Sequence, residues 1–314
     1  EWTVSMQSAQ GVYSFIDSAR YNRFIAVIRN GAWEVDVDGK KFPIDKNDFS
    51  FHDGSRKISF DCAYITIHGT PGENGLLQGY FDMIGIPYTC CGVLAAALTF
   101  NKFTCNHYLK AYGIKTAESL LLRKGQQISN TDVIEKIGLP CFVKPNAGGS
   151  SLGATKVTQE NEIQPAFATA FAEGDEVIAE QFIAGTEVTC GCYQTAERQV
   201  VFPITEVISK NDFFDYEAKY NASKAEEITP ARIPDELANR IQQITQAIYN
   251  ILNCRGIIRI DYILAESGIF LLEVNTTPGM TATSFIPQQV KAAGLSMKTV
   301  MTDVIEESIH LKCR

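Results

Sequence analysis

The sequence predicts a mixed α/β and α+β protein. A doubly wound α/β unit spans residues 1–101, and two α+β units follow over 102–185 and 186–314. Three observations lead there. Helix-like and strand-like runs alternate through the first hundred residues, the pattern of an open α/β domain. Beyond them strands cluster in pairs while helices stand apart, which is the α+β pattern. Finally, 314 residues with 45% hydrophobic and 20% charged content are enough for two or three cores in an ordinary globular chain.

In chain order, residues 5–17 (SMQSAQGVYSFID) predict a helix with Ser5 as its N-cap. Runs at 23–28 and 32–37 read as strands. Residues 62–68 (CAYITIH) read as a buried strand ending at His68-Gly69, and 75–83 as a helix. A domain of this kind begins with a central strand, whereas the residues given open on a helix. The expectation is therefore either a strand preceding Glu1 or an incomplete domain. The second unit reads as helix 102–112, strand 141–144, a Gly/Ser loop, strand 153–157, helix 162–171 and strand 176–182. In the third, strands at 186–195 and 199–207 precede a polar, aromatic loop near 211–225. A long helix at 235–252, a hairpin, and helices near 285–293 and 296–310 complete it.

Bulk properties exclude several classes. No run of about 18 apolar residues occurs, so a membrane span is not expected. The opening EWTVSMQSAQ lacks a basic segment followed by an apolar one, so it does not read as a signal peptide. A net charge of −8 argues against a nucleic-acid partner, because phosphate neutralisation needs clustered Lys and Arg. The nine cysteines show neither a C-x-x-C pair nor zinc spacing, and several lie within apolar runs. Cys190 and Cys192 share one strand face and read as packing. The composition suits a reducing cytoplasm.

Residues 259–280 (RIDYILAESGIFLLEVNTTPGM) carry the strongest chemical signal. Two alternating apolar segments flank Glu266-Ser267-Gly268, a hairpin pattern. With Ser267 at the turn centre, Asp261 faces Glu273 and Arg259 faces Asn275, all four on one face of the sheet. Facing carboxylates repel unless neutralised. Two acids with an amide oxygen suit Mg²⁺, which commonly holds substrate phosphates as well. The plain alternative is a surface hairpin whose acids pair with Arg259.

Three further stretches are ambiguous by themselves. The loop 144–153 (KPNAGGSSLG) is glycine-rich without the Walker pattern; it could fold over phosphates with Lys144 as a point charge, or be a plain turn. Residues 68–75 (HGTPGENG) lie where a strand becomes a helix, a place that favours either a bound anion or a tight turn with a structural histidine. Residues 215–220 (DYEAKY) sit in an aromatic loop that reads as a lid or as a solvated loop.

Taken together these stretches resemble the ATP-grasp superfamily, and within it the D-alanine–D-alanine ligases. Seven segments match in order along essentially the whole chain: E-x-x-V-S from Glu1, HGxxGExG at 68–75, LQGxxxxxGIPYTxxG at 77–92, KPxxxGSSxG at 144–153, DYEAKY at 215–220, RxDxxL at 259–264 and LLEVNTxPGMT at 271–281. The resemblance implies that two D-alanines and ATP give D-alanyl-D-alanine, ADP and phosphate through a D-alanyl phosphate, for peptidoglycan precursors, in a cytoplasmic homodimer. It also implies two Mg²⁺ ions, with Mn²⁺ as a substitute, held by Asp261, Glu273 and Asn275. Lys102, Lys144 and the lid Lys219 match phosphate-binding lysines. Glu180, Gln181 and Ile183 match the adenine hinge, and Glu187 the ribose contact. Glu1 matches the acid that binds the first D-alanine's ammonium, linked to a Ser150–Tyr220 pair, and His68 a residue near that substrate's carboxylate. Arg259 and the Gly279 N–H match the oxyanion contacts, so Arg259 is expected to turn away from the acids. Ser284 and the Phe285 backbone match the second carboxylate site.

Departures from the family pattern are Gln181 where Lys is common, Asn101 where Asp is frequent, and Phe214 for a common Tyr. The glycine-rich turn that usually precedes the first Glu is absent. If the first strand is absent too, Glu1 is tethered only by its helix and activity is expected to suffer. Tyr220 within EAKY implies the dipeptide rather than a D-lactate ester. The competing readings are another ATP-grasp carboxylate–amine ligase with a different acceptor, and a non-catalytic nucleotide binder of the same fold.

Overall fold

The computed structural model describes residues 1–29, 31–149, 152–209 and 225–312. Among them lie three antiparallel sheets, each backed by helices, and each element places its small or apolar residues on the packed side.

Helix α1 (Trp2–Phe15) opens the chain. Ser5 lies inside it rather than capping it: its Oγ donates to the Glu1 carbonyl at 3.0 Å and accepts from the His68 N–H at 3.0 Å. The buried face is Ser5, Ser8 and Val12, a spacing of one and two helical turns. Gly11 joins this face, and a Cβ there would lie 2.0 Å from the Met280 carbonyl oxygen. Small side chains let the helix press directly onto the backbone at 280, which holds Glu1 over the site.

Strands β1 (Ile25–Arg29), β2 (Ala32–Val37), β3 (Lys40–Asp45), β4 (Ser50–His52) and β5 (Lys57–Ile58) form a meander in sequence order. Connections of two to four residues leave no length for the crossover that parallel pairing requires. The predicted strand 62–68 therefore does not join a ladder; its pairing is a single parallel bridge, Ala63 to Tyr88. It is nonetheless packed, with Ile65 in a core built from Phe49, Phe51, Leu77, Phe81 and Tyr88. Helices α2 (Leu76–Ile84), α3 (Val93–Phe100) and α4 (Lys102–Lys110) follow. Asn101 caps α4, its side chain accepting from the Thr104 N–H at 2.9 Å.

The second sheet runs β6 (Ser119–Arg123), β9 (Glu176–Gln181), β7 (Cys141–Pro145), β8 (Thr155–Val157) in spatial order. Side chains alternate across the sheet: Cys141, Val143, Val177 and Ala179 pack against α5 (Asn130–Ile137) and α6 (Ile163–Glu173). Phe142, Lys144 and Glu180 face the opposite way into a cavity.

The third sheet contains β10 (Thr186–Gln194), β11 (Gln199–Val201), β12 (Thr205–Ser209), β13 (Ala225–Ile228), β14 (Ile258–Ala265) and β15 (Gly268–Asn275), ordered β13-β12-β10-β14-β15 with β11 beside β10. The run expected as one strand at 199–207 is broken at 202–204, next to Pro203, which cannot donate to a ladder. Val188, Cys190, Cys192, Ile258, Ile260 and Tyr262 share one face with Ile241, Ile248 and Tyr249 of α7 (Asp235–Ile251). Burial pushes the Cys190 thiol up to about 12, as expected of a packing residue. The other face carries Glu187, Thr189, Arg259 and Asp261. Over it lies α8 (Phe285–Ala292), followed by α9 (Met297–Lys312). Gln289 pins α8 to the sheet: it accepts from the Gly191 N–H at 2.9 Å and donates to the Thr189 carbonyl at 3.0 Å.

The hairpin register matches expectation where it matters. Asp261 faces Glu273 and Arg259 faces Asn275. The route differs. The turn holds two residues, since Ala265 pairs with Gly268, and a bulge between Asp261 and Tyr262 on β14 leaves Leu272 of β15 as the extra residue.

Candidate active site

Two cavities meet between the second and third sheets. The larger, about 1060 Å³, is lined by Lys144, Glu180, Gln181, Ile183, Phe142, Phe182 and Leu272, among others. The smaller, about 410 Å³, is lined by His68, Arg259, Asp261, Asn275, Gly279, Ser284 and Phe285, among others. Glu1, Phe100, Lys102, Gly148, Gly149, Glu187, Val207 and Glu273 line both. The shared wall is therefore rich in charge, while the larger cavity extends into aromatic and aliphatic surface.

Asp261, 5% exposed, is saturated with donors. Its Oδ1 accepts from Thr189 Oγ1 at 2.5 Å and Arg259 Nε at 2.9 Å; its Oδ2 accepts from Arg259 Nη2 at 2.8 Å and Asn275 Nδ2 at 3.0 Å. The guanidinium thus binds Asp261 through two nitrogens, and it also lies 5.2 Å from the Phe285 ring centroid. Burial opposes the charge on Arg259, but Asp261, then Glu273 and Glu187, outweigh it and raise its pKa above the usual value. Arg259 is paired with an acid here rather than turned away from it, contrary to the sequence expectation. Arg259 is thus the cation that neutralises Asp261. The pair is buried, so the alternative of a solvated surface pair does not describe it either.

Lys144 reaches Glu180 at 2.5 Å, across diagonal positions of β7 and β9, and Asn106 Nδ2 donates to the other Glu180 oxygen at 3.3 Å. Lys102 donates from Nζ to the Gly148 carbonyl at 2.5 Å, which ties the glycine-rich loop to the start of α4. Asn146, fully buried, reinforces that junction by accepting from the Phe103 N–H at 2.9 Å and donating to Glu176 at 2.8 Å. The Glu1 carboxylate rests between two glycines: a Cβ on Gly69 would lie 2.1 Å from it, and one on Gly149 3.8 Å away. Gly69 also has φ +72°, so that position excludes a side chain on two grounds. His68 contacts Ser8 Oγ at 3.1 Å and lies 3.8 Å from Glu73, whose carboxylate accepts from the Gly69 N–H at 2.6 Å.

Two family models match the chain, described as D-ala D-ala ligase N-terminus over residues 1–91 and D-ala D-ala ligase C-terminus over 108–306. A D-alanine–D-alanine ligase of Bacteroides fragilis is 65% identical over 98% of this chain and 95% of its own length. The chain belongs to the D-alanine–D-alanine ligase family. Among solved structures of the family's fold, the D-alanyl-alanine synthetase A of Vibrio cholerae has a TM-score of 0.87 at 28% identity, covering 98% of this chain and 94% of that one. The VanG D-Ala:D-Ser ligase of Enterococcus faecalis has a TM-score of 0.85 at 31% identity, covering 97% and 95%. The ATP-grasp fold expected from the sequence is the fold of these ligases.

The described residues selected from the sequence fall on the walls of the two cavities, with Glu1, Lys102, Glu187 and Glu273 bordering both. Lys102, Lys144, Glu180, Gln181, Ile183 and Glu187 all border the larger cavity. Glu1, His68, Arg259, Asp261, Glu273, Asn275, Gly279, Ser284 and Phe285 all border the smaller. Ser150, Lys219 and Tyr220 lie outside the described residues, as does the rest of the 215–220 segment and Phe214. Among the described residues no group of three or more His, Cys, Asp or Glu that could hold a metal ion occurs. Residues missed from sequence include Thr189, which holds Asp261; its period-2 spacing from Glu187 was the available signal. Leu272 was missed because its bulge was not foreseen. Glu227, on the edge strand β13, has no local motif at all.

Proposed function

We propose that this chain joins two D-alanines into D-alanyl-D-alanine, with ATP cleaved to ADP and phosphate, as a cytoplasmic step toward peptidoglycan. The observation that supports the reading best is the pair of cavities with a common charged wall. Phosphoryl transfer to a small amino acid needs a large site for the nucleotide, a small one for the acceptor, and contact between them.

In this reading residues 1–101 hold the amino acids, while 102–185 and 186–314 clasp ATP. Glu180, Gln181 and Ile183 meet the adenine, Glu187 the ribose, and Lys102, Lys144 and Lys219 the phosphates. Asp261, Glu273 and Asn275 would hold two Mg²⁺ ions, or Mn²⁺; their oxygen donors share one sheet face, and Asp261 would exchange Arg259 for the metal. When bound, the metal supplies charge neutralisation at the phosphoryl oxygens. Glu1, with Ser150 and Tyr220, holds the first D-alanine's ammonium, and His68 lies near its carboxylate. That carboxylate attacks the γ-phosphorus, forming the acyl phosphate as the bond to ADP breaks. The second amine then attacks the acyl carbon, loses a proton and expels phosphate. Arg259 and the Gly279 N–H receive the oxyanion, and Ser284 with the Phe285 N–H the second carboxylate.

The same reading includes a homodimer. Leu76, Met83, Val93 and Leu94 are exposed on α2 and α3, and Gly79 brings the two helices together, its Cβ position lying 3.7 Å from Val93. An apolar face of this kind suits a two-fold contact. Sedimentation equilibrium returning the mass of one chain would remove the dimer from the proposal. For activity, phosphate release from ATP and Mg²⁺ is expected to require D-alanine and to stop with EDTA. Release with D-serine or another amino acid, but not with D-alanine, would assign a different ligase. ATP binding without release under any of these conditions would make the chain a nucleotide binder.

A further inference from the structure

Glu227 belongs to no motif, yet the sheet carries it to the active face. In β13 it pairs with Val207, Val207 pairs with Glu187, and Glu187 pairs with Ile263. Residues directly opposite across antiparallel strands point to the same side. Glu227 is thus on the face that bears Glu187, Asp261 and Arg259, and it borders the smaller cavity together with Arg259, Ser284 and Phe285.

Its carboxylate is also fixed in place. Gln288 Nε2 donates to Glu227 Oε2 at 2.7 Å and to the Thr283 carbonyl at 2.8 Å. One amide nitrogen therefore ties the acid to the residue that precedes Ser284. Gln288 is in turn positioned by α8, which Gln289 anchors to β10. Residue 227 is exposed at the rim, while protein around the carboxyl end raises its pKa above the ordinary value, more than Gln288 and Arg259 lower it. The small cavity thereby holds an anion-binding end, Ser284 and the start of α8, and an anion beside it. A free amino acid is a zwitterion and presents those two charges on groups attached to the same carbon.

We propose that Glu227, positioned by Gln288, binds the ammonium group of the acceptor amino acid and so sets the affinity of the second subsite. The inference rests on the ligase reading above and adds to it a residue of the acceptor pocket. Glu227 recruits the acceptor as a zwitterion; it takes no part in making the acyl phosphate.

The test separates the two half-reactions. Hydroxylamine is uncharged and traps an acyl phosphate as the hydroxamate, releasing phosphate, so hydroxamate formation reads ATP and the donor D-alanine alone. Dipeptide formation also reads the acceptor. In Glu227→Gln, which keeps the shape and the bond to Gln288 while removing the charge, hydroxamate formation is expected to equal wild type. The acceptor KM should rise about tenfold, with kcat within about twofold. Gln288→Leu, which leaves the acid present but unheld, should raise the same KM by a smaller factor. An unchanged acceptor KM in Glu227→Gln, with hydroxamate formation intact, overturns the role of Glu227 and leaves the ligase reading standing. A parallel loss of both products in Glu227→Gln at unchanged thermal stability also overturns it, since the residue would then serve the first half-reaction. Wild-type protein that makes neither product overturns the ligase reading itself.

Discussion

Lys144 and Glu180 lie 2.5 Å apart with side chains only 16% and 6% exposed, so each neutralises a charge that burial would otherwise penalise. Removing one partner leaves the other stranded, at a cost of about 3–5 kcal/mol, whereas replacing both by apolar residues is typically close to neutral. Glu180→Ala should therefore lower the unfolding free energy by roughly that amount, and the Lys144→Met, Glu180→Met double variant should recover most of it. ATP binding should fail in both. Chemical denaturation and calorimetric titration check the two halves; equal instability of single and double variants would mean that the pair does not carry the effect. Asp261 and Arg259 obey the same logic. Sequence could raise a pairing of Arg259 with the hairpin acids but not that of Lys144 with Glu180, because the latter two lie 36 residues apart on strands that only the sheet brings together. Arg259 lies two residues from Asp261 on the same strand face, and that proximity decided its orientation.

Among the elements, the hairpin shows how a sequence reading reaches the right register by the wrong path. A turn centred on Ser267 and the true two-residue turn differ by one position, and the extra Leu272 restores the difference before Asp261. Period-2 patterning fixed the functional end because one face there is buried, whereas bulges leave no such trace. In the N-terminal meander, Asp38-Gly39 and Asp53-Gly54-Ser55 lie in the short turns between paired strands, whereas the pairing of 62–68 depends on residues distant in sequence. Those turns also predict an acid response. The N–H of Arg56, then the hydroxyl and N–H of Ser55, lower the Asp53 pKa to about 2; Lys57 and then Ser50 do the same for Asp48. Both folded values lie below the unfolded 3.8, so this stabilisation is complete above about pH 4 and is lost as pH falls toward 2. Asp53→Asn should flatten part of the decline in Tm between pH 4 and 2 while leaving Tm at pH 5 to 7 only slightly lowered. An unchanged acid slope in the variant would show that Asp53 contributes nothing to it.

On the scale of the molecule, motif order along the chain was enough to foresee the ATP-grasp fold, and residues of five of the seven matched segments border the two cavities. What sequence could not supply is the sharing of one wall by two cavities. Glu1 arrives on the N-terminal helix, Lys102 on α4, Glu187 and Glu273 on the third sheet, and each faces both spaces. Any ligand that fixes this wall alters the free energy of the neighbouring space, and thermodynamic linkage then makes the effect mutual. A non-hydrolysable ATP analogue with Mg²⁺ should tighten D-alanine binding, and D-alanine should tighten the analogue by the same factor, on the order of five-fold or more. Titrations run in both orders would give that factor twice; independent affinities would mean that the wall is rigid enough to serve each ligand alone. Should the two factors agree, nucleotide charge state becomes a variable that the cell can use: at a low ratio of ATP to ADP the protein would hold its amino acid more loosely, and the commitment of D-alanine would follow the energy supply without any separate regulatory site.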